Sequence, residues 1–346
     1  MPIGLRGVGK TVLLNQFADD AKNLGFEVCS IESPEGGDLR QLLAVRLRQT
    51  LYALDQVANI KQKMTRAVNK ALGVLKSFSL TTPEGSRIAL DLDAVRGLAD
   101  SGNFQEDLRD ILIEVGTAAR EVGSGVLLAI DEIQYLSEEE FAGLIMAIHR
   151  TTQLDLPVVL VGTGLPSVPG KAGKAKSYSE RLFDFPEIGS LSDKDARVAV
   201  ELPAEKYGVS FDDAALSQIL SLTEGYPYFL QEWAFHTWNV ASTSPITIED
   251  VHNASAQVQE ALDKSFFRVR LDRLTGTEKQ YLAAMADLGP GVHKSADIAA
   301  KYGAKMDSVS PIRSALIGKG MIYGPDRGQT AFTVPLFDDF LRRQRA

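Results

Sequence analysis

The residues that decide the fold stand near the start of the chain: Gly4-Leu5-Arg6-Gly7-Val8-Gly9-Lys10-Thr11. They fit the P-loop pattern G-x-x-x-x-G-K-T. Its glycines let backbone N–H groups face phosphate oxygens, which a Cβ at those positions would hinder. Residues 12–24 are then predicted to form a helix, whose N-terminal dipole favours anions. A glycine-rich turn without a ligand is the alternative, and a second motif argues against it.

The second motif is Gly125-Val126-Leu127-Leu128-Ala129-Ile130-Asp131-Glu132. Its apolar run predicts a parallel strand buried on both faces, so that Asp131 lies at the carboxyl end, where open α/β sheets bind ligands. We expect Asp131 to act on Mg²⁺ and Glu132 to orient or deprotonate the attacking water. We also expect Lys10 to reach the β- and γ-phosphates and Thr11 to place its hydroxyl on Mg²⁺. Alone, this run could be a strand followed by an acidic turn.

Length and composition limit the class of protein. A chain of 346 residues, 45% of them hydrophobic, suggests two or three globular domains with a sizeable core. The net charge of −8 argues against a basic coat for non-specific nucleic-acid binding, although a local basic patch is compatible with it. The single cysteine, Cys29, fits a buried strand position and a reducing cytosol, so we expect a cytoplasmic protein. No apolar run approaches the roughly 18 residues that span a membrane, and no signal peptide precedes the P-loop.

The start of the chain is unusual for a P-loop protein. A P-loop follows a strand in the middle of the nucleotide-binding sheet, but only Met1-Pro2-Ile3 precede Gly4. We therefore expect the first strand to be missing or reduced to a stub. Either the chain is a fragment, or its start was placed too far downstream.

The first half of the chain predicts an α/β order. Besides the strand of the second motif, strands are predicted at residues 26–32, 156–161 and 183–188, and helices at 38–54, 104–122, 137–149 and 177–182. Residues 56–76 predict a basic amphipathic helix, which could touch nucleic acid or an acidic partner, or simply pack with a solvated face. Residues 77–82 and 87–92 alternate and could pair as a hairpin.

From Ser192 onward the pattern is helical, with helices predicted at 193–206, 212–222, 227–241 and 248–270. Such a segment is typical of a small helical domain or lid. Residues 275–346 then predict helices at 276–288, 295–302 and 307–319 and a hairpin of two short strands, the layout of a winged helix. This last segment has ten Lys and Arg against seven Asp and Glu, a balance of +3. DNA contact through Lys305, Arg313 and Lys319 is one interpretation, and protein contact or autoinhibition is the other.

The ordered motifs resemble those of the AAA+ ATPases. They are Gly4–Thr11, Leu127–Glu132, Gly162-Thr163-Gly164, Arg181 and Gly225-Tyr226-Pro227, closed by the winged helix. The set is most similar to the bacterial and archaeal branch related to origin-recognition ATPases and to STAND signalling ATPases. The resemblance implies a P-loop parallel sheet over residues 1–191, a helical lid over 192–272 and a winged-helix domain over 273–346.

The resemblance also implies roles for individual residues. Thr163 stands at the sensor 1 position, where Asn is more usual. Arg181 is either an arginine finger for a neighbouring subunit's nucleotide or a surface ion pair with Glu180 or Asp184. No lid arginine at the sensor 2 position is obvious. Thr11 and Asp131 would hold the metal, and the nucleotide contacts would come from Gly4, Arg6, Gly7, Val8, Gly9, Lys10, Thr11 and Val12 and, against adenine, from Tyr226 and Pro227.

We therefore expect an ATP-binding ATPase that hydrolyses ATP with Mg²⁺ as a conformational switch. Turnover is expected to be slow or to require assembly with a protein partner or as a homo-oligomer, and no membrane is involved. One alternative is a DNA-binding regulator that uses residues 275–346 and turns over little ATP. Another is a protein-interaction scaffold whose ATP site is inactive because the first strand is missing.

Overall fold

The computed structural model describes residues 1–60, 66–80 and 94–345. Contacts among them divide the chain into two compact units. Unit 1 comprises Met1–Ile3 and Lys10–Glu187, and unit 2 comprises Gly4–Gly9 and Ile188–Ala346. Gly4–Gly9, named the P-loop turn below, is therefore described with unit 2, whereas Lys10 and Thr11 are described with unit 1.

Unit 1 alternates strands with helices. Its elements are β1 (Ile3–Gly4), α1 (Lys10–Asn23), β2 (Phe26–Glu32), α2 (Leu39–Ile60), α3 (Arg66–Leu80), α4 (Phe104–Val122), β3 (Gly125–Asp131), α5 (Glu138–Gln153), β4 (Val158–Gly162), α6 (Val168–Ala175), α7 (Ser179–Leu182) and β5 (Glu187–Ile188). A short 3-10 helix, Ile133–Tyr135, follows β3.

The sheet of unit 1 is parallel, with β3 between β2 and β4. Beyond the end of β4, Ile3 of β1 forms a parallel bridge with Gly164. The Ile3 N–H also donates to the carbonyl of Pro186 at 2.9 Å, directly before β5. The expected first strand is thus present as a stub of two residues, next to β4 as a P-loop sheet requires.

Apolar side chains cover both faces of β3. Leu127 and Ala129 pack with α1 on one face. The alternate residues of β3 belong to the larger core on the other face, which α2, α3, α4 and α5 also form. All seven residues of β3 are buried, as predicted for a strand covered on both sides. Cys29 of β2 is buried too, and its burial raises the pKa of the thiol to about 12.

Local sequence signals set the ends of two helices that flank β3. Asn103 caps α4 by accepting the N–H groups of Gln105 and Glu106, and Gly123 ends this helix with a φ of 74°. Ser137 and Glu140 form the predicted capping box at the start of α5. The predictions for residues 26–32 and 104–122 match β2 and α4 residue for residue.

Several other predictions for unit 1 are corrected by the structure. The single helix over 56–76 is wrong, because residues 56–60 end α2 and residues 66–76 belong to α3, with 61–65 outside the described residues. Residues 77–80, expected in a hairpin, also lie in α3. The rest of that hairpin, 81–82 and 87–92, falls outside the described residues. The strand at 183–188 is shortened to β5, and α6 was not predicted.

Unit 2 is mainly helical. Its elements are α8 (Asp193–Glu205), α9 (Asp213–Thr223), α10 (Pro227–Val240), α11 (Ile248–Ala261), a π-helical turn (Leu262–Phe267), α12 (Arg268–Asp272), α13 (Gly276–Ala286), β6 (His293–Lys294), α14 (Ser295–Tyr302), α15 (Met306–Gly318), β7 (Ile322–Tyr323), β8 (Gln329–Phe332) and α16 (Phe337–Arg343). Strand β8 pairs antiparallel with both β6 and β7.

The predicted helices of unit 2 are confirmed, including Pro227 at the first turn of α10. The helix expected over 248–270 is interrupted by the π-helical turn, and β6 and α16 were not predicted. One hydrophobic core includes Val8 of the P-loop turn together with residues of the lid segment and of the C-terminal segment. The division at 191, 272 and 346 into three domains stays a prediction. None of the helices in the described part of the chain combines the length and apolarity needed to cross a membrane.

Candidate active site

The P-loop turn has the backbone shape that its glycines predict. Gly7 and Gly9 both have a φ of 88°, in the left-handed region that other residues rarely adopt. Between them, Val8 points into the core of unit 2 and is 5% exposed. Arg6 is half-buried. In unit 1, Val12 of α1 is 70% exposed, so the predicted nucleotide contacts differ widely in accessibility.

In unit 1, three donors converge on the carboxylate of Asp131. Thr11 Oγ1 donates to Asp131 Oδ2 at 2.6 Å, and Thr163 Oγ1 donates to Asp131 Oδ1. The N–H of Glu132 donates to the same Oδ1 at 2.9 Å. Thr11 belongs to α1, whereas Asp131 ends β3 and Thr163 directly follows β4. These four residues are named the Asp131 cluster below.

The Asp131 cluster lies where the carboxyl ends of two neighbouring parallel strands meet. Asp131 is 7% exposed and Thr163 is fully buried, while Lys10, which precedes Thr11 in α1, is 5% exposed. The structure therefore brings together the predicted metal ligands and the residue predicted at the sensor 1 position. A carboxylate and a hydroxyl are hard oxygen ligands of the kind that Mg²⁺ prefers, so this donor set fits that ion.

The carboxylate of Glu132 has one hydrogen-bond partner among the described residues, the side-chain amide of Gln134. Glu132 adopts a left-handed backbone conformation, with a φ of 54° and a ψ of 40°. This conformation turns the chain away from the strand direction directly after Asp131. Sequence reasoning identified Glu132 and missed Gln134, although Gln134 stands only two positions further along.

In unit 2, the Tyr226 ring lies against the P-loop turn. A Cβ placed on Gly7 would come within 3.3 Å of the Tyr226 hydroxyl oxygen, and the N–H of Tyr228 donates to the Gly7 carbonyl at 3.2 Å. Tyr226 is 1% exposed, and its burial raises the pKa of its phenol. Its hydroxyl has no hydrogen-bond partner among the described residues. The structure thus places the predicted lid motif beside the P-loop turn.

A second residue beside the P-loop turn, Arg270, was missed by sequence reasoning. Its guanidinium lies 3.8 Å from the centre of the Phe266 ring and donates to the Phe266 carbonyl. Burial, and to a lesser extent the charge of Arg6, lowers the pKa of Arg270 to about 10. Arg270 forms no ion pair within the described residues, and its buried Nε has no hydrogen-bond partner there. A half-buried guanidinium close to a second arginine, and without an ion pair of its own in the described part of the chain, fits an anionic ligand.

Other predicted cations have different surroundings. Arg181 of α7 is exposed and pairs with neither Glu180 nor Asp184, so the surface ion pair considered for it does not form. In the C-terminal segment, Arg313 donates to Thr330 Oγ1 and to the Gln329 carbonyl, both at 2.8 Å. Lys319 pairs with Glu278 at 2.7 Å. Lys305 is exposed.

Two family models match parts of the chain. Residues 2–165 match the family model described as an AAA domain. This range contains the P-loop turn, Lys10 and the whole Asp131 cluster. Residues 264–341 match a model described as a domain of unknown function, DUF8462. The motifs, the parallel sheet and the family match together define an AAA-type P-loop ATPase fold.

A solved structure agrees with that fold. A Walker-type ATPase of Pyrococcus abyssi superposes with a TM-score of 0.62 at 17% identity, covering 99% of this chain and 90% of that protein. Cdc6p of Pyrobaculum aerophilum (14% identity, TM-score 0.44) and the Holliday junction branch migration motor RuvB of Thermotoga maritima (17% identity, TM-score 0.44) each match over 99% of this chain and 86% of their own length. A search of curated proteins gave no match.

Proposed function

We propose that this chain binds ATP through Gly4–Thr11 and hydrolyses it with Mg²⁺. The observation that carries the proposal is the environment of the Asp131 carboxylate. It accepts hydrogen bonds from the hydroxyl of Thr11, at 2.6 Å, and from that of Thr163. These hydroxyls come from the helix that follows the P-loop and from the end of the adjacent strand. Such a convergence is what a metal-dependent phosphoryl-transfer site requires.

Each part of the site would have a separate role in binding and hydrolysis. The N–H groups of the P-loop turn and the N-terminus of α1 would hold phosphate oxygens, and Lys10 would balance their charge. Thr11 and Asp131 would hold Mg²⁺, which supplies positive charge against the phosphates when bound. Glu132 would accept a hydrogen bond from the attacking water and orient it in line with the phosphoryl group. Thr163 would hold Asp131 in position.

Two arginines extend this proposal. Arg270 would contact phosphate, since its guanidinium is half-buried beside Arg6 and carries no ion pair within the described residues. Arg181 would act on the nucleotide of a neighbouring copy, because it is exposed on α7 and pairs with neither adjacent acid. The second role requires a homo-oligomer, which would explain slow turnover by an isolated chain.

We further propose that the ATPase is a cytoplasmic switch of the STAND and origin-recognition type, with a winged helix at its C-terminal end. The order of α13, β6, α14, α15, β7 and β8 supports a winged helix. Arg313 and Lys319 donate hydrogen bonds to residues of this same segment, at 2.8 and 2.7 Å. A protein partner therefore fits this surface better than DNA does.

The test combines titration calorimetry with Mg-ATP and a phosphate-release assay. The parent chain is expected to bind and to turn over ATP. Lys10→Ala is expected to lose binding, and Glu132→Gln to keep binding while turnover falls by about 10²- to 10⁴-fold, the usual contribution of a positioned base. Arg270→Met is expected to weaken ATP binding by about tenfold, the effect of losing about 1.4 kcal/mol.

Lys22→Ala is the control for Lys10, because Lys22 lies on the same helix, is exposed and forms an ion pair with Asp19. It should bind as the parent does. Failure of the parent to bind Mg-ATP would overturn the proposed function. Binding that survives in Lys10→Ala would show that the P-loop is not the site. Equal turnover in Glu132→Gln would remove Glu132 from the mechanism.

A further inference from the structure

The side-chain amide of Gln134 bridges the Glu132 carboxylate and the backbone that follows β4. Gln134 Oε1 accepts the N–H of Leu165 at 3.1 Å, and Gln134 Nε2 donates to Glu132 Oε2. The orientation of the amide is fixed chemically, since an N–H cannot accept a hydrogen bond. The oxygen must face Leu165, so the NH₂ group must face the carboxylate.

The backbone around Gln134 is itself held in place. The N–H of Ile133 donates to the Thr163 carbonyl at 3.0 Å. Lys171 of α6 donates to the Gln134 carbonyl at 2.9 Å and also to the carbonyl of Leu136. Thr163 in turn donates to Asp131. The Gln134 amide is therefore anchored to the same strand end as the Asp131 cluster.

Gly164 leaves the space that this amide occupies. A Cβ on Gly164 would lie 2.8 Å from Gln134 Oε1 and 2.6 Å from a methyl group of Val168, both too close for a real contact. The Val168 side chain is fully buried. A side chain at position 164 would therefore force a shift, and the Gln134 amide, at the end of a flexible side chain, would yield more easily than the buried Val168.

We propose that Gln134 is the positioning residue of Glu132 in ATP hydrolysis. Its amide holds Oε2 of the carboxylate, which leaves Oε1 to accept a hydrogen bond from the attacking water. Because Gln134 is the only hydrogen-bond partner of this carboxylate among the described residues, its loss frees the Glu132 side chain to rotate. This inference rests on the proposed function and assigns to it a residue beyond the P-loop and the motif that ends in Asp131 and Glu132.

The experiment compares kcat and KM for ATP hydrolysis in three variants. Gln134→Ala removes both bonds and is expected to lower kcat by about 10- to 100-fold with little change in KM, the size of effect that misplacing a reactive group by about 1 Å can have. Gln134→Glu keeps an acceptor for the Leu165 N–H but replaces the donor by a carboxylate. It is expected to lose as much kcat as Gln134→Ala. Gly164→Ala places a methyl group against the amide without changing Gln134 itself. It should likewise lower kcat with little change in KM.

The outcomes distinguish a residue that positions Glu132 from one that only supports the backbone at Leu165. If Gln134 only braced Leu165, Gln134→Glu would keep the parent kcat, and the proposal would be wrong. Parent kcat in all three variants, beside an inactive Glu132→Gln, would also overturn it while leaving the proposed function intact. A parent chain that does not hydrolyse ATP would overturn both. Lys171→Met is the control, since it removes a backbone anchor of the same loop but leaves the amide on Glu132, and its kcat should fall less than in Gln134→Ala.

Discussion

The surroundings of Asp131 in unit 1 and those of Tyr226 in unit 2 differ in how their polar groups are satisfied. Asp131 is buried with three donors on its carboxylate. Tyr226 is buried just as deeply, yet its hydroxyl and the nearby Nε of Arg270 have no partners among the described residues. A buried polar atom without a partner costs about 1–3 kcal/mol. The protein itself therefore supplies donors to the Asp131 carboxylate, whereas a ligand beside Tyr226 and Arg270 could satisfy polar atoms that the described residues leave unpaired.

The second region also depends on ring packing to a degree that the first does not. Phe267 is 1% exposed, and its ring centre lies 5.1 Å from that of Phe340 and 5.3 Å from that of Phe266. Phe267→Ala is expected to lower the free energy of unfolding of unit 2 by about 3–5 kcal/mol, because a large cavity remains.

Urea titration followed by tryptophan fluorescence measures this effect in unit 2 alone, since the two tryptophans of the chain, Trp233 and Trp238, both lie on α10. Phe235→Ala is the control, because Phe235 lies on α10 with the two tryptophans and is 61% exposed. A loss no larger than that of the control would show that the rings contribute little, and the contrast between the two regions would fail.

A change in the Asp131 cluster tests the other side of the comparison. Thr163→Val keeps the volume of the buried side chain and removes the hydroxyl that donates to Asp131. Turnover is expected to fall by about tenfold, equivalent to about 1.4 kcal/mol of transition-state stabilisation. Thr163→Ser, which restores a hydroxyl, should recover most of it. Steady-state phosphate release measures both, and equal rates in the Val and Ser variants would contradict this role.

The smallest effect is expected where a buried hydroxyl already lacks a partner. Tyr226→Phe removes such a group without leaving a large cavity, so the free energy of unfolding should stay the same or rise by up to about 1 kcal/mol. Tyr281→Phe is a matched variant, since Tyr281 is fully buried in the same unit and its hydroxyl also has no hydrogen-bond partner in the described part of the chain. A loss of more than 1 kcal/mol in the Tyr226 variant would reveal a partner for that hydroxyl.

Sequence patterns predicted the fold wherever the signal was local. The strand at 26–32 and the helix at 104–122 follow from alternation, from apolar periodicity and from end signals such as Asn103. The prediction failed at Ser77 and Ser79, whose alternation with apolar residues imitated a strand. In α3 both hydroxyls bond to nearby carbonyls, those of Val95 and Lys76 among them, so polar side chains are satisfied inside a helix.

The residues of the candidate site also differ in whether the sequence could predict them. The Asp131 cluster was predictable because each member is chemically distinctive and stands at a motif position or a strand end. Arg270 was not, because nothing near it in sequence marks it, and only the packing of unit 2 brings it beside Arg6. The bridge made by Gln134 also depends on the Leu165 N–H, which is 31 residues away in sequence.

The π-helical turn of unit 2 packs between Tyr228, beside the P-loop turn, and the last helix, α16. Within this turn Phe266 stacks on Tyr228 with ring centres 4.4 Å apart, while its neighbour Phe267 stacks on Phe340 of α16 at 5.1 Å. The N–H of Tyr228 donates to the Gly7 carbonyl, so the rings of Tyr228, Phe266 and Phe267 lie between the P-loop turn and α16. Close-packed interiors have low compressibility and transmit strain, so we expect a displacement of the P-loop turn to shift the C-terminal helix as well.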